Sequence, residues 1–327
     1  MTDIPSSSVL IDLWLDSSND ESRSNIGITN EESYRYFWNT WIKFLAVVIG
    51  TEGEENQQLW QMATPEIVLQ FLSSGTKARK MEEGVSAITK RRYWRLLDRI
   101  YEFALANHWV ERNPALAIRQ WEKPAQENPK GAILNHKQWS SGLSMLDQAS
   151  ANEPIPARNR AILLCLYEMG VTPEEVRSLT LQSCVRDPAT GSITQLQIDG
   201  TGVNQRRRFT TSNTLASALA NWLAHREQLS KAHKTEHLFC STHGRMMGAD
   251  NLHLLVREHL LMANATTDTD PAMRLGPQVI RNTRLVHWVN QGTPKSQVAV
   301  WAGLKNEKGL YHLAAHFNPQ LDTHLPG

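Results

Sequence analysis

A cluster of basic residues between positions 77 and 99 is the first part of this chain that could bind a ligand by charge. Its cations are Lys77, Arg79, Lys80, Lys90, Arg91, Arg92, Arg95 and Arg99. The 327-residue chain has a formal net charge of only +1, and residues 1–58 are predominantly acidic. Because the positive charge is local rather than general, it predicts a localised anionic partner.

The helical periodicity of residues 86–107 indicates how this cluster is presented. Apolar residues recur at helical spacing, while Arg91, Arg95 and Arg99 repeat every four residues and so share another face. A basic face beside an apolar stripe is the arrangement that phosphate and base contacts require. An ordinary solvated helix face is the alternative, so this segment does not decide the ligand by itself.

Three consecutive arginines, Arg206, Arg207 and Arg208, form a second basic cluster. Residues 195–199 alternate apolar and polar side chains, a turn follows at 200–202, and residues 206–211 return, which predicts a β-hairpin. Since successive side chains of a strand point to opposite faces, only about two of the three arginines can reach phosphate.

The remaining elements are predominantly helical. Thr29 and Glu32 form a capping-box pattern at the start of one helix, and Pro65 stands in the first position of another. Further helices are predicted at 157–167, 173–179, 215–227, 251–262, 277–290 and 295–302. With the hairpin, they predict a mainly α fold with a small β-sheet, an α+β class.

Residues 121–131 are rich in Pro, Glu, Lys and Gln, which predicts a linker between two domains. The predicted organisation is a flexible acidic segment at 1–25, a helical domain at 26–120, the linker at 121–131, a second domain at 132–313 and a tail at 314–327. For residues 1–25 a weakly docked helix is the alternative.

Composition excludes several classes of function. No apolar run approaches the roughly 18 residues of a membrane span, and the N-terminus has no secretory signal. The three cysteines are scattered without a CxxC pair, and the histidines are dispersed apart from one i, i+4 pair, His233 and His237. No disulfide framework, metal site or cofactor is therefore predicted. These features are typical of a protein of the reducing cytoplasm, where a DNA-binding chain would be associated with the nucleoid.

The segment Arg281-Asn-Thr-Arg-Leu-Val-His-Trp-Val-Asn-Gln-Gly292 resembles the second conserved box of the tyrosine recombinase (phage-type integrase) family. In that family a catalytic Arg opens a helix that runs to a Gly. Further matches follow in the family's order at 64–72, 89–93, 113–115, 158–164 and 169–179. The resemblance implies a helical core-binding domain at 26–120 and an integrase-like catalytic-type domain at 132–313, which clamp duplex DNA.

The resemblance also assigns six site positions. The family cleaves DNA by attack of a Tyr hydroxyl on a phosphodiester, and two Arg, a Lys, a His or Lys and a His or Trp assist. Here the second Arg is Arg281, and the nucleophile position falls on Tyr311, with His312 beside it as a weaker candidate. The other four positions hold Thr172, Thr201, Gln278 and Leu304. Each lost donor costs on the order of 3 kcal/mol of transition-state stabilisation.

We therefore expect a sequence-specific protein that binds double-stranded DNA and has lost strand cleavage, which favours a protein that is not an enzyme over an active recombinase. It would act as a transcriptional regulator or an accessory factor of a mobile element or plasmid. The expected DNA-binding residues are Lys90, Arg91, Arg92, Arg95, Arg99, Arg206, Arg207, Arg208, Arg281, Arg284 and Lys295.

Two alternatives stay open. The first is an active recombinase that uses Tyr311 and recruits a cation such as Arg177 or Arg207. The second is a helical scaffold that binds a protein partner through its acidic N-terminal segment. Tails such as 314–327 dock on a neighbouring protomer in the family, so a homo-oligomer on DNA is also expected.

Overall fold

The structure is a computed structural model. It describes residues 4–18, 28–50, 58–75, 87–119, 122–124, 131–149, 151–200, 206–229, 231–264 and 275–319. The chain divides into two compact units, unit 1 (residues 1–128) and unit 2 (residues 129–327). Over the described ranges the chain is mostly helical with one three-stranded sheet, so the mainly α class with a small sheet is confirmed. None of the helices within these ranges is both long and apolar enough to cross a membrane.

Four α-helices account for most of the described part of unit 1. They are α1 (Ser7–Ser18), α2 (Ile28–Ile49), α3 (Pro65–Gln70) and α4 (Ala87–Ala106). Helix α3 begins where the sequence predicts, because Thr64 Oγ1 accepts a hydrogen bond from the Ile67 amide at 3.3 Å and Pro65 needs no partner for its nitrogen. Helix α2 begins one residue before Thr29, whose side chain lies outside the described residues.

Helix α1 shows that residues 7–18 are a docked helix, the alternative to the expected flexible segment at 1–25. Its Leu10, Ile11, Trp14 and Leu15 are buried in the core of unit 1. The indole of Trp38 also donates to the Ser7 carbonyl at 2.7 Å. The acidic and Ser-rich composition hides a short apolar stripe at i, i+4 spacing, and burial of that stripe holds the helix in place.

The core of unit 1 is aromatic and fully hydrogen-bonded around Tyr101. The Trp41 indole donates to the Tyr101 hydroxyl at 3.2 Å, and that hydroxyl donates to the Trp60 carbonyl at 2.7 Å. Tyr101 belongs to the buried face of α4, which also carries Leu97 and Ile100. This face fixes the rotation of α4, so its opposite face is solvent-exposed.

Unit 2 contains the sheet and the remaining helices. These elements are α5 (His136–Gln148), α6 (Pro154–Met169), α7 (Pro173–Ser178), β1 (Cys184–Arg186), β2 (Ile193–Asp199), β3 (Arg206–Thr210), α8 (Asn213–Gln228), α9 (Ala249–Asn264), α10 (Pro277–Asn290) and α11 (Lys295–Trp301). A 3₁₀-helix follows at Glu307–His316. The six helices predicted for this half are confirmed, whereas α5, which starts at a capping box of Asn135 and Gln138, was not predicted.

The sheet has the antiparallel order β1-β2-β3, and the predicted hairpin is formed by β2 and β3. In this hairpin Asp199 is paired with Arg206, and Ile198 is paired with Arg207. Residues 201–205, which connect β2 to β3 in the sequence, lie outside the described residues.

Helix α6 is the central helix of unit 2. Every residue from 161 to 167 is buried, so α6 is apolar around its whole circumference. It ends at Gly170, whose φ of 55° is the left-handed conformation that closes many helices. The next residues turn directly into α7, and this turn forms one wall of the candidate site.

The predicted tail at 314–327 begins later than expected. His316 Nε2 lies 2.7 Å from the Gly131 carbonyl, and the Asn318 amide donates to Asn290 Oδ1 at 2.8 Å. Residues 314–319 therefore pack on unit 2 of the same chain, because their polar groups find partners there. Residues 320–327 lie outside the described part.

Candidate functional site

The candidate site is a pocket of about 250 Å³ in unit 2. The turn between α6 and α7, strand β3, the start of α10 and the turn after α11 contribute to it. Its main lining residues are Thr172, Glu175, Arg207, Arg281, Gly303 and Leu304. Residues 172, 281 and 304, which the resemblance assigned to one site, thus meet although they are far apart in sequence.

Arg281 lies in the second turn of α10 and is almost completely buried, with 4% of its surface exposed. Its Nη1 donates to the Gly170 carbonyl, and its Nη2 donates to the Ala302 carbonyl at 2.7 Å. Burial lowers the pKa of Arg281 to about 10, while the charge of Glu175 opposes that change and the charge of Arg207 adds to it. The guanidinium therefore remains charged at neutral pH.

Arg207 enters the same pocket from β3. It is buried, whereas its neighbours Arg206 and Arg208 are exposed, because alternate residues of a strand face opposite sides. Its Nε donates to the Trp301 carbonyl at 2.7 Å, and its Nη2 donates to Glu175 Oε1 at 2.6 Å. The guanidinium also lies against Gly303, where an added Cβ would come within 2.9 Å of Nη1.

Glu175 lies between the two arginines. Its Oε2 accepts a hydrogen bond from the Thr172 amide at 2.8 Å and is 4.0 Å from Arg281 Nη1. Thr172 Oγ1 in turn accepts from the Glu175 amide at 3.2 Å, which completes a capping box at the start of α7. One carboxylate is therefore shared by two buried guanidinium groups.

Tyr311 and His312 lie on the 3₁₀-helix Glu307–His316. The Tyr311 side chain is 69% exposed. His312 is half-buried, and burial lowers its pKa; a hydrogen bond with the Gly309 backbone opposes this change, and the positive charge of Arg281 adds to it. His312, the weaker candidate from the sequence, is thus the more buried of the two residues.

A comparison with known proteins identifies the family. The sequence profile described as the phage integrase family matches residues 134–311, more than half of the chain. The chain belongs to the phage integrase family of tyrosine recombinases. The matched region includes the entire pocket and ends at Tyr311.

Curated relatives in this family agree with the assignment. The tyrosine recombinase XerC of Alcanivorax borkumensis is 28% identical over 180 residues, which cover 55% of each chain. The tyrosine recombinase XerC 1 of Ralstonia nicotianae is 25% identical over 215 residues, or 63% of this chain and 61% of that one. The alignments thus span less than two thirds of either relative.

A solved structure has the same fold over nearly the whole chain. The XerH site-specific recombinase, in a post-cleavage complex with a palindromic difH substrate, superposes with a TM-score of 0.68 and 18% identity. The match covers 97% of this chain and 83% of that one. The fold of an integrase-family protein therefore extends to unit 1, beyond the residues that the family profile matches.

The structure gives different surroundings to the integrase-family positions Gln278, Leu304 and Thr201. Gln278, in the first turn of α10, donates from Nε2 to Asn282 Oδ1 at 2.8 Å. Leu304 lines the pocket with an aliphatic side chain and packs against Gly309. Thr201 lies outside the described residues.

The exposed basic face of α4 contains different residues from the predicted face. Arg92, Arg95 and Arg99 are exposed together. Arg91 instead donates to the Pro124 carbonyl and lies 4.6 Å from the Trp94 ring centroid. Lys90 is partly buried. The exposed cationic row is therefore 92, 95 and 99, not the predicted 91, 95 and 99, because the apolar stripe rotates Arg91 towards the protein.

The remaining predicted cations of unit 2 have separate contacts. Arg206 pairs with Asp199 at 3.0 Å, and Arg208 donates to Gln197 Oε1 at 3.2 Å, both on the exposed face of β3. Arg284 donates to the Glu168 carbonyl at 2.9 Å. The Lys295 ammonium lies 5.3 Å from the Phe317 ring centroid.

Arg177 does not join the pocket. Its Nε donates to the Met247 carbonyl at 2.7 Å, and its Nη1 forms an ion pair with Glu174. Glu175 was missed as a pocket residue, although the pattern Thr172-Pro-Glu-Glu175 is a capping-box signal that places its carboxylate beside the Thr172 amide. Among the described residues, no group of three or more His, Cys, Asp or Glu side chains could hold a metal ion.

Proposed function

We propose that this integrase-family chain binds double-stranded DNA sequence-specifically and does not cleave it. The observation that carries the proposal is the buried pocket around Arg281, whose positive charge Glu175 balances only in part. A cationic pocket of this kind suits an anionic group such as a backbone phosphate. The structural neighbour XerH, solved on its difH substrate, supports DNA as the source of that phosphate.

The absence of cleavage is proposed from three of the family's other site positions. Thr172 uses its hydroxyl to cap α7, the Gln278 amide is bonded to Asn282, and Leu304 is apolar. None of these three side chains supplies a cation to the charge that develops on a pentacoordinate phosphorus. Since each missing donor costs about 3 kcal/mol, the described pocket binds phosphate better than it stabilises the transition state.

The exposed row Arg92, Arg95 and Arg99 on α4 is proposed as the second DNA contact. These side chains have the exposure that phosphate contacts need. On this proposal the protein is a transcriptional regulator or an accessory factor of a mobile element or plasmid. It would be located with the nucleoid, and it would self-associate on DNA through the residues that follow position 319.

The test is capture of sheared DNA from the source organism by the full-length purified protein. Retained fragments are sequenced, and a second sample is boiled in detergent before analysis. We expect one enriched sequence motif and complete release of the DNA by detergent. No enrichment over a mock column would exclude sequence-specific DNA binding, and a detergent-resistant adduct would exclude loss of cleavage.

An active recombinase is the second candidate, and one observation favours it. Tyr311 is exposed on the 3₁₀-helix Glu307–His316, and it lies within the region that the family profile matches. A duplex of the enriched sequence with a nick that traps covalent intermediates would test this candidate. A covalent species in the wild-type protein that is absent in Tyr311→Phe would establish it.

A further inference from the structure

An arginine at the inward-facing position of a short strand needs an explanation. Of the five residues of β3, Arg207 is the one buried residue, and its side chain reaches the pocket rather than solvent. Burying a charged side chain is costly unless it is paired, and an aliphatic residue would fill this position without that cost.

The ion pair with Glu175 balances only part of the buried positive charge of Arg207 and Arg281. Glu175 could balance one buried guanidinium, but it is shared with Arg281, which lies 4.0 Å from the second carboxylate oxygen. The two other acidic residues of the pocket are exposed and paired elsewhere, Glu174 with Arg177 and Asp199 with Arg206. The pocket therefore holds two buried cations for one buried anion.

Arg207 and residue 172 both contact the carboxylate of Glu175. Glu175 Oε1 accepts from Arg207, and Glu175 Oε2 accepts from the Thr172 amide, so the Arg207 guanidinium and residue 172 contact the same carboxylate. Thr172 carries no charge. The second guanidinium of this pocket thus comes from β3 and not from the turn that precedes α7.

We propose that Arg207 is a phosphate-binding residue that, with Arg281, holds one phosphate of the DNA backbone. Glu175 keeps the two guanidinium groups in position when the phosphate is absent. Gly303 is part of the same arrangement, because a side chain there would collide with Arg207. This inference rests on the proposed DNA binding and names the residue that supplies the second guanidinium for the bound phosphate.

The decisive experiment couples Arg207 to one phosphate. Duplexes of the captured sequence are made with a single neutral methylphosphonate at each backbone position in turn, and their affinities are measured for wild type and Arg207→Met. In wild type we expect one position to cost about 10-fold or more in affinity. In Arg207→Met, unmodified DNA should bind about 10-fold more weakly, and the same methylphosphonate should then add little.

Arg208→Met is the matched control, since it removes one positive charge from the exposed face of the same strand. This variant should keep the full wild-type penalty at the position that Arg207 contacts. Equal penalties at every position in wild type and Arg207→Met, with DNA binding retained, would overturn the role of Arg207. If the wild-type protein binds no DNA at all, the proposed DNA-binding function itself is wrong. That result differs from retained DNA binding with an unchanged methylphosphonate penalty.

A second variant keeps the test decisive if Arg207→Met does not fold. Arg207→Lys retains the charge but loses the planar fork that can bind Glu175 and phosphate together. We expect it to reduce the penalty at the same phosphate by about 3-fold or more, with no change elsewhere. An unchanged penalty in a folded Arg207→Lys protein would show that residue 207 does not contact the phosphate.

Discussion

At the scale of single residues, Arg281 joins two turns of unit 2 through hydrogen bonds to the carbonyl groups of Gly170 and Ala302. The same side chain therefore has a structural role and a proposed binding role. Both carbonyl groups would lose a charged donor on substitution, so the two roles need to be separated by measuring stability and DNA affinity on the same samples.

We expect Arg281→Met to lower the free energy of unfolding by about 3 kcal/mol, because two hydrogen bonds to a charged donor are lost in a buried site. Urea denaturation would measure it. Arg208→Met, on the exposed face of β3, should change the free energy by less than about 0.5 kcal/mol. Equal effects in the two variants would contradict the structural role of Arg281.

A second residue-scale prediction concerns His259 on α9. It is buried beside Tyr167, whose hydroxyl lies 3.2 Å from Nε2, and burial lowers the pKa of His259 to about 4. In the unfolded chain the His259 imidazole is protonated near pH 6.5, whereas in the folded protein it is protonated only near pH 4. Stability should therefore fall by about 3 kcal/mol as the pH decreases through this window.

The measurement is the difference in unfolding free energy between pH 7 and pH 4.5 for wild type and His259→Gln. The variant should lose less stability on acidification, even if it is less stable at pH 7. His253→Gln, at an exposed position of the same helix, should behave as wild type. An unchanged pH difference in His259→Gln would show that other groups cause the acid sensitivity.

At the scale of elements, the pocket depends on where α6 stops. Gly170 ends the helix in the left-handed conformation, offers its carbonyl to Arg281 and leads into the capping box of α7. A Cβ at this position would also lie 3.2 Å from the Trp288 ring. The turn thus combines a backbone requirement with a packing requirement.

Gly170→Ala should be destabilised by roughly 1 kcal/mol for the backbone alone and by more because of Trp288. Gly191→Ala is the matched control, since Gly191 has a φ of 71° and nothing within 4 Å of an added Cβ. Thermal or urea unfolding of both variants would measure the difference. If Gly191→Ala is as destabilised as Gly170→Ala, packing against Trp288 does not contribute.

At the scale of the whole molecule, the two units offer cations of different kinds. Unit 1 presents an exposed row on α4, whereas unit 2 holds a buried pair in a pocket. Exposed arginines bind phosphate by charge and release counterions, so their contribution should be visible in the salt dependence of DNA binding. The formal net charge of the chain is only +1, so it indicates neither the exposed row nor the buried pair.

The triple variant Arg92→Ala, Arg95→Ala and Arg99→Ala should therefore reduce the slope of log affinity against log salt by about 2.7, at 0.9 for each lost phosphate contact. Glu102→Gln, at an exposed position of the same helix, is the control and should not lower the slope. Affinity would be measured at several salt concentrations. An unchanged slope in the triple variant would mean that this face of α4 does not meet DNA.

Local sequence was sufficient for many of the elements. The helix predicted at 277–290 and the hairpin at 195–211 were found because their apolar spacing, caps and turns act between residues close in sequence. Helix α1 was predicted only as an alternative to a flexible segment, because its stripe covers only Leu10 to Leu15 within an acidic and Ser-rich segment. Its order comes from distant partners such as Trp38.

The sequence by itself determined the family, the helical class and the residues that occupy the family's site positions, because motifs and periodicity are properties of the chain. Only the tertiary structure decided which of three adjacent arginines is buried. Strand alternation separates Arg207 from its neighbours but cannot say which side faces inward when all three residues are identical. That choice depends on how β3 packs against the turns at Glu175 and Gly303, contacts made by residues far apart in sequence.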